Sequence, residues 1–198
     1  MKLEIQGAPE PKGRAYIDKT EARQDWNTSD YPQAPILTMV RSVFDGPIDL
    51  DPCSNPESIT AAASEVWFQY GEVEPPAGRN VIRGSGLVIP WQGRVFVNPP
   101  FDHISKWVQK CRGEHDMRGA EVLLLGPAGV STKWFHAHVP SSDAWMFWKG
   151  RFKFLNAKNG CPFNPLFAYW GPNADRFEGV FGQRGMVIRP KKLGRASW

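Results

Sequence analysis

The chain has 198 residues, 41% of them hydrophobic, enough for one domain with a substantial core. Its formal charge of +4 points only weakly to a polyanionic partner. Its three cysteines, Cys53, Cys111 and Cys161, show no CxxC spacing, so neither a disulfide framework nor a zinc site is expected. The N-terminal stretch has no apolar h-region and no run approaches membrane-spanning length, so the expectation is a soluble cytoplasmic protein with reduced thiols and no membrane partner.

Residues 1–24 are polar, with Gly, Pro and mixed charges, and read as an N-terminal arm. From Pro35, the residues Ile36, Leu37, Val40, Val43 and Phe44 recur at helical spacing, and Gly46-Pro47 stops that helix. A short strand is predicted over 48–51, broken by Pro52, with Ser54 or Asn55 capping a helix that runs through 61–63. Pro75-Pro76-Ala77-Gly78 marks a loop, and Arg94 to Asn98 reads as a buried strand. Ile104, Trp107, Val108 and Cys111 give a second helical face, and 121–125 is a continuous apolar strand closed by Gly126-Pro127. A short helix over 132–138, with Trp134 and Phe135 inward, precedes strands at 144–148, 151–155 and 166–170. Most of the nine tryptophans are expected in the core or lining a groove. Alternating strands and helices argue for a mostly parallel sheet covered on both faces, with the closely spaced late strands forming an antiparallel edge. The domain is predicted to span 25–188, followed by a small basic tail at 189–198.

Chemistry concentrates where strand 94–98 ends, in Asn98-Pro99-Pro100-Phe101. Proline cannot continue a central strand, so this corner is presented at the strand's carboxyl end, where open α/β sheets bind ligands. The Asn98 side-chain oxygen and the Pro99 carbonyl can accept the two hydrogens of a planar amine, and Phe101 can stack on its ring. The dipeptides alone carry no signal, because Asn-Pro recurs at Asn55-Pro56 and Asn164-Pro165, and Pro-Pro at Pro75-Pro76. A second constellation, Asp49-Leu50-Asp51-Pro52-Cys53-Ser54-Asn55, also ends a predicted strand. A carboxylate there can hold an ammonium group, or the segment is simply a capping turn. It lacks a GxGxxG loop, which argues against an ordinary dinucleotide site. Arg151 and Lys153 alternate with Phe152 and Phe154, giving a basic strand face toward phosphate or an ordinary solvated one. The loop 156–165 brings Lys158, Asn159 and Cys161 toward a target base or merely connects two strands. His136 and His138 do not make a metal site, and none is expected.

Taken in order, these motifs resemble the phage-type DNA N6-adenine methyltransferase family over about residues 26–171. The resemblance is carried by Trp26-Asn27-Thr28 ahead of Ala34-Pro35 and a helix, and by Ile48-Asp49-Leu50-Asp51-Pro52-Cys53. It continues through Ser85-Gly86-Leu87, Trp91-Gln92-Gly93-Arg94-Val95, Asn98 to Phe101, and Gly150-Arg151-Phe152-Lys153-Phe154. It implies a Rossmann-like S-adenosylmethionine-dependent methyltransferase fold, with a mostly parallel seven-stranded sheet and helices on both faces. By that similarity Asp51, Pro52 and Cys53, together with Asp49, line the cofactor pocket, and Trp26 and Thr28 form a lid beside it. Asn98, Pro99, Pro100 and Phe101 form the catalytic corner, and Arg151, Lys153 and Lys158 contact DNA. The sequence departs from the family pattern at Thr28, which no Pro follows directly, at Ser85 in place of an acidic residue, and at Phe101 in place of Tyr.

The implied activity is methyl transfer from S-adenosylmethionine to N6 of an adenine flipped out of double-stranded DNA, in a bacterial cytoplasm and from a phage or host gene. Cytosine N4, RNA or protein amines suit the same corner, and a catalytically inactive nucleic-acid-binding relative is the reading from another class.

Overall fold

A computed structural model describes residues 36–68, 70, 73–150, 152, 161 and 163–190. They build one mixed sheet of eight strands with four α-helices. In chain order these are α1 (Ile36–Phe44), β1 (Leu50–Ser54), β2 (Ser64–Trp67), β3 (Val81–Arg83), β4 (Arg94–Val97), α2 (Ile104–Arg118), β5 (Glu121–Pro127), α3 (Lys133–His138), β6 (Ala144–Trp148), β7 (Pro165–Trp170), α4 (Ala174–Phe181) and β8 (Gly185–Ile188). The strand order is β3-β2-β1-β4-β5-β7-β6-β8. β1 to β5 pair in parallel, while β7 runs against both β5 and β6, and β8 runs against β6.

Strand alternation divides the core in two. Phe96, Leu123, Leu125, Met146, Phe167 and Tyr169 face α1 and α4, whose Ile36, Val40, Val43, Phe177 and Phe181 complete one cluster. Val95, Val97, Val122, Leu124, Ala168 and Trp170 face the other way, against Trp107, Val108 and Cys111 of α2 and Phe135 of α3. Helices therefore cover both faces, as the sequence pattern predicts, but the sheet has eight strands where seven are expected.

Three local expectations are corrected. β1 begins two residues later than predicted and runs through Pro52, because the strand's pairing slips between Asp51 and Ser54, where the missing proline N–H is tolerated. No helix forms over 61–63. The Asn55 side chain accepts the Glu57 N–H in a local turn, and Ala61 sits at φ +48°, a left-handed conformation that no helix continues through. The expected strand at 151–155 lies outside the described residues except for Phe152, which is buried against Trp148 and Phe167.

The amino ends of the central strands are tied by charge. Asp49 takes two parallel guanidinium bonds from Arg94, both of 2.8 Å, and the Arg94 backbone N–H at 2.8 Å. The Arg94 side chain is the largest cause holding the Asp49 carboxyl below its usual range, against a smaller upward push from burial. A carboxyl lowered in the folded state stabilises the fold above its unfolded pKa, and that contribution is lost as pH falls through the lower, folded value. Asp49→Asn is therefore expected to unfold at lower urea than wild type at pH 7, with the gap closing as pH falls below about 4. A gap that stays constant with pH would remove the ion pair from this role.

Candidate active site

The chain leaves β1 outward to β2 and β3, then returns through residues 84–93 to place β4 on the other side of β1. This reversal of strand order opens a crevice beyond the carboxyl ends of β1 and β4, the location where open α/β sheets take up ligands. Asp51-Pro52-Cys53 belongs to the first of those strands, and Asn98-Pro99-Pro100-Phe101 follows the second. Continuing the alternation of β4 by one residue puts Asn98 on the side of Phe96. Asp51, opposite in sense to its neighbour Leu50, falls on that same side. The structure thus brings together two constellations separated by more than forty residues in sequence.

Buried polarity gathers in the same region. Of the nine buried polar or charged residues among those described, six are Asp51, Ser54, Asn55, Thr60, Glu65 and Asn98, all on β1, on β2, on the loop joining them, or at the end of β4. Five of the six are hydrogen-bonded through their side chains. Asp51 accepts the Cys53 N–H at 3.0 Å and faces the Ser58 hydroxyl at 3.5 Å. Ser54 donates to Glu65 at 2.7 Å, and the Thr60 carbonyl accepts Arg41 at 2.7 Å. Asn98 is the exception. Its side chain is fully buried, and neither Oδ1 nor Nδ2 has a hydrogen-bond partner among the described residues. A buried amide left in that state costs about 1–3 kcal/mol. Such a group suits a site where a ligand supplies the missing partners.

The surroundings of Asn98 are well ordered by contacts. The Asn98 backbone hydrogen-bonds to Cys53, whose thiol is pushed well up by burial, by Asp51 and by Cys111, so it stays a neutral thiol. Gly86, in the segment that returns to β4, lies directly on the end of β1. A Cβ at this position would sit 2.0 Å from the Pro52 carbonyl oxygen, so only glycine permits the approach. Trp91 secures that segment by donating to the Gly86 carbonyl at 2.9 Å. Its backbone N–H donates to Glu114 of α2 at 2.8 Å. Ser85 opens the turn with its hydroxyl 3.3 Å from the Leu87 N–H. Phe101 begins a short 3-10 turn ahead of α2 and meets Phe163 edge to face, with centroids 4.5 Å apart at 86°.

The other expected site residues are placed as follows. Asp49 lies at the amino end of β1 with its carboxylate taken by Arg94, so it does not join the crevice. Cys161 is buried, donating its N–H to Phe152 at 2.7 Å and its thiol to the Phe163 carbonyl at 3.3 Å. It therefore packs inward instead of reaching a base. Trp26, Thr28, Arg151, Lys153 and Lys158 lie outside the described residues. Arg189, at the start of the basic tail, is engaged by Asp175 and Glu178. Sequence reasoning missed Phe163 and Glu65. Glu65 sits in a short Ser-Glu-Val-Trp run whose aromatic and β-branched residues are a strand signal, whereas Phe163 has no local signal at all.

Residues 83–165, from the end of β3 to the start of β7, match the model of the DNA N-6-adenine-methyltransferase (Dam) family. This is the family that the sequence motifs resemble. The matched segment contains the Asn98 corner and Ser85-Gly86-Leu87. No curated protein and no solved structure matches the chain. No helix among the described residues is long and apolar enough to cross a membrane.

The state of Asn98 carries its own test. Truncating a buried, satisfied asparagine normally destabilises, whereas here the truncation also removes an uncompensated amide. Asn98→Ala is expected to unfold at a urea midpoint no lower than wild type in the absence of ligand. A loss of about 1 kcal/mol or more would show that the amide is satisfied in the free protein.

Proposed function

We propose that the protein transfers a methyl group from S-adenosylmethionine to the N6 amine of an adenine flipped out of double-stranded DNA, on a Rossmann-like methyltransferase scaffold. The observation that carries this reading is the unpartnered, buried Asn98 amide at the carboxyl end of β4, beside Asp51-Pro52-Cys53 and inside the segment matched by the family. The donor set of the crevice suits the cofactor. Asp51 offers a carboxylate to its ammonium group, and Pro52 and Cys53 continue the wall under Gly86. When bound, S-adenosylmethionine supplies an electrophilic methyl group.

The chain's own residues account for the remaining requirements. An adenine amine is a weak nucleophile because its lone pair is delocalised into the ring. Asn98 Oδ1 and the Pro99 carbonyl accept its two hydrogens and favour a more tetrahedral nitrogen. Pro99 and Pro100 restrict the backbone there, so the acceptors are held in place before the base arrives. Phe101, braced edge-on by Phe163, presents a ring for the base to stack on, a contact worth roughly 1–3 kcal/mol. Most of the acceleration comes from holding nitrogen and methyl in line. After transfer the nitrogen is cationic and loses a proton readily, so no strong base is required. Flipping the base costs a few kcal/mol, which phosphate contacts by basic residues offset.

The test is nucleoside analysis of DNA incubated with the protein and labelled cofactor. N6-methyladenine is the expected product; N4-methylcytosine or an unlabelled digest would overturn the assignment. Asn98→Ala is expected to abolish transfer while keeping cofactor affinity within a few fold, and Asp51→Ala to weaken cofactor binding strongly in calorimetry. Unchanged affinity in Asp51→Ala would move the cofactor away from β1.

A further inference from the structure

Beside the crevice, on β2, a carboxylate is buried together with an arginine from the loop before β3. Glu65 is the register partner of Asp51 in the parallel β1–β2 pair, so the two acidic side chains share one face of the sheet on adjacent strands. Both are almost completely buried. Arg79 provides the compensating charge. Its Nε lies 3.1 Å from each Glu65 oxygen, and its Nη2 forms a close ion pair with Oε2. The guanidinium lies 5.0 Å from the centre of the Trp67 ring, and the Trp67 indole donates to Glu65 at 3.3 Å.

The same guanidinium reaches past Glu65 to the turn that follows β1. Nη1 donates to the Pro56 carbonyl at 2.7 Å, and Nη2 donates to the Asn55 carbonyl at 2.8 Å. The Asn55 carbonyl also accepts the Ser58 N–H at 3.1 Å, and the Ser58 hydroxyl faces Asp51. A continuous set of bonds therefore runs from Arg79 through the 54–58 turn to Asp51. Buried ion pairs contribute little net stability compared with apolar residues of similar size, so stability alone does not account for this arrangement. Its distinguishing property is geometric, because a planar fork with five donors fixes two carbonyls and a carboxylate at once.

We infer that Arg79 is a positioning residue for the cofactor crevice. It neutralises Glu65 beside Asp51 and clamps the turn that orients Asp51. The inference rests on the reading of Asp51 given under Proposed function, and it concerns binding of the donor, not the transfer step.

Calorimetry of the full chain with S-adenosylmethionine and S-adenosylhomocysteine, paired with steady-state kinetics, tests it. Arg79→Lys keeps a cation beside Glu65 but replaces the fork with a single ammonium. Its cofactor Kd and KM are expected to rise roughly tenfold or more, with kcat and the KM for DNA nearly unchanged. Because losing one partner of a buried pair can unfold a protein, the double variant Glu65→Gln with Arg79→Met removes both charges. It is expected to unfold at or above the wild-type midpoint and still bind cofactor as weakly as Arg79→Lys. Cofactor affinity at the wild-type level in either variant would overturn the inference, as would a fall in kcat with affinity unchanged. A wild-type chain that binds neither compound would instead overturn the assignment of the crevice, and this inference with it.

Discussion

A side-chain amide has two donor hydrogens and two acceptor lone pairs, and removing all of them from water without replacement is among the costlier things a small domain can do. Asn98 bears this cost directly after the apolar Val95-Phe96-Val97 run of β4. The neighbouring prolines leave the corner little freedom to relax by turning the backbone toward solvent. The rest of the fold reads as the means of holding that amide in place. Val95, Phe96 and Val97 anchor β4 in both core clusters, and β1 and β5 flank it by parallel pairing.

Support around the corner comes from groups that are satisfied. Glu114 of α2 illustrates the contrast. Burial pushes its carboxyl upward, but Lys110, the Trp91 N–H and Arg118 together outweigh that push and keep it below its usual range. Through Trp91 this helix holds the segment that brings Gly86 onto Pro52. Tyr169, Glu121 and Asn173 make a comparable set at the amino end of β5. The Tyr169 hydroxyl donates to Glu121, and burial together with that carboxylate raises its pKa far out of the physiological range. The amino end of β5 is thus tied by side-chain hydrogen bonds, in contrast to the unpartnered Asn98 amide beyond the carboxyl end of β4.

The elements legible in the sequence are those whose signal is local. α1, β4, α2, β5 and β7 each carry their own periodicity or an unbroken apolar run, and the Asn-Pro-Pro-Phe corner marks itself by stopping such a run. The short helix expected over 132–138 forms as α3, with Thr132 just before it as the cap that accepts the Phe135 N–H. What was not legible depends on partners distant in the chain. Proline rules end β1 at Pro52, and only the pairing slip against β2 lets the strand continue. β3 and β8 have three and four residues, too few to show a period, and the described part of β3 is mostly exposed. The bracing of Phe101 by Phe163 and the reach of Arg79 to the 54–58 turn join residues twenty or more positions apart, for which composition and spacing carry no signal.

Asp49 and Asp51 show why motif membership alone does not assign a role. They stand in one short run, on one face by strand alternation, separated by about 6.6 Å along the chain. That distance is enough to cross from the closed end of the sheet toward its open end. Asp49 meets the Arg94 guanidinium at the amino end of β4, and its charge is spent on joining two strands. Asp51 is deeper, level with Glu65, where the neighbouring carboxylate already has its own arginine. Arg79 pairs with Glu65, which under the proposed function leaves the Asp51 carboxylate to the positively charged donor. The two aspartates differ in surroundings: Asp49 joins β1 to β4 through Arg94, and Asp51 lies level with Glu65 on β2.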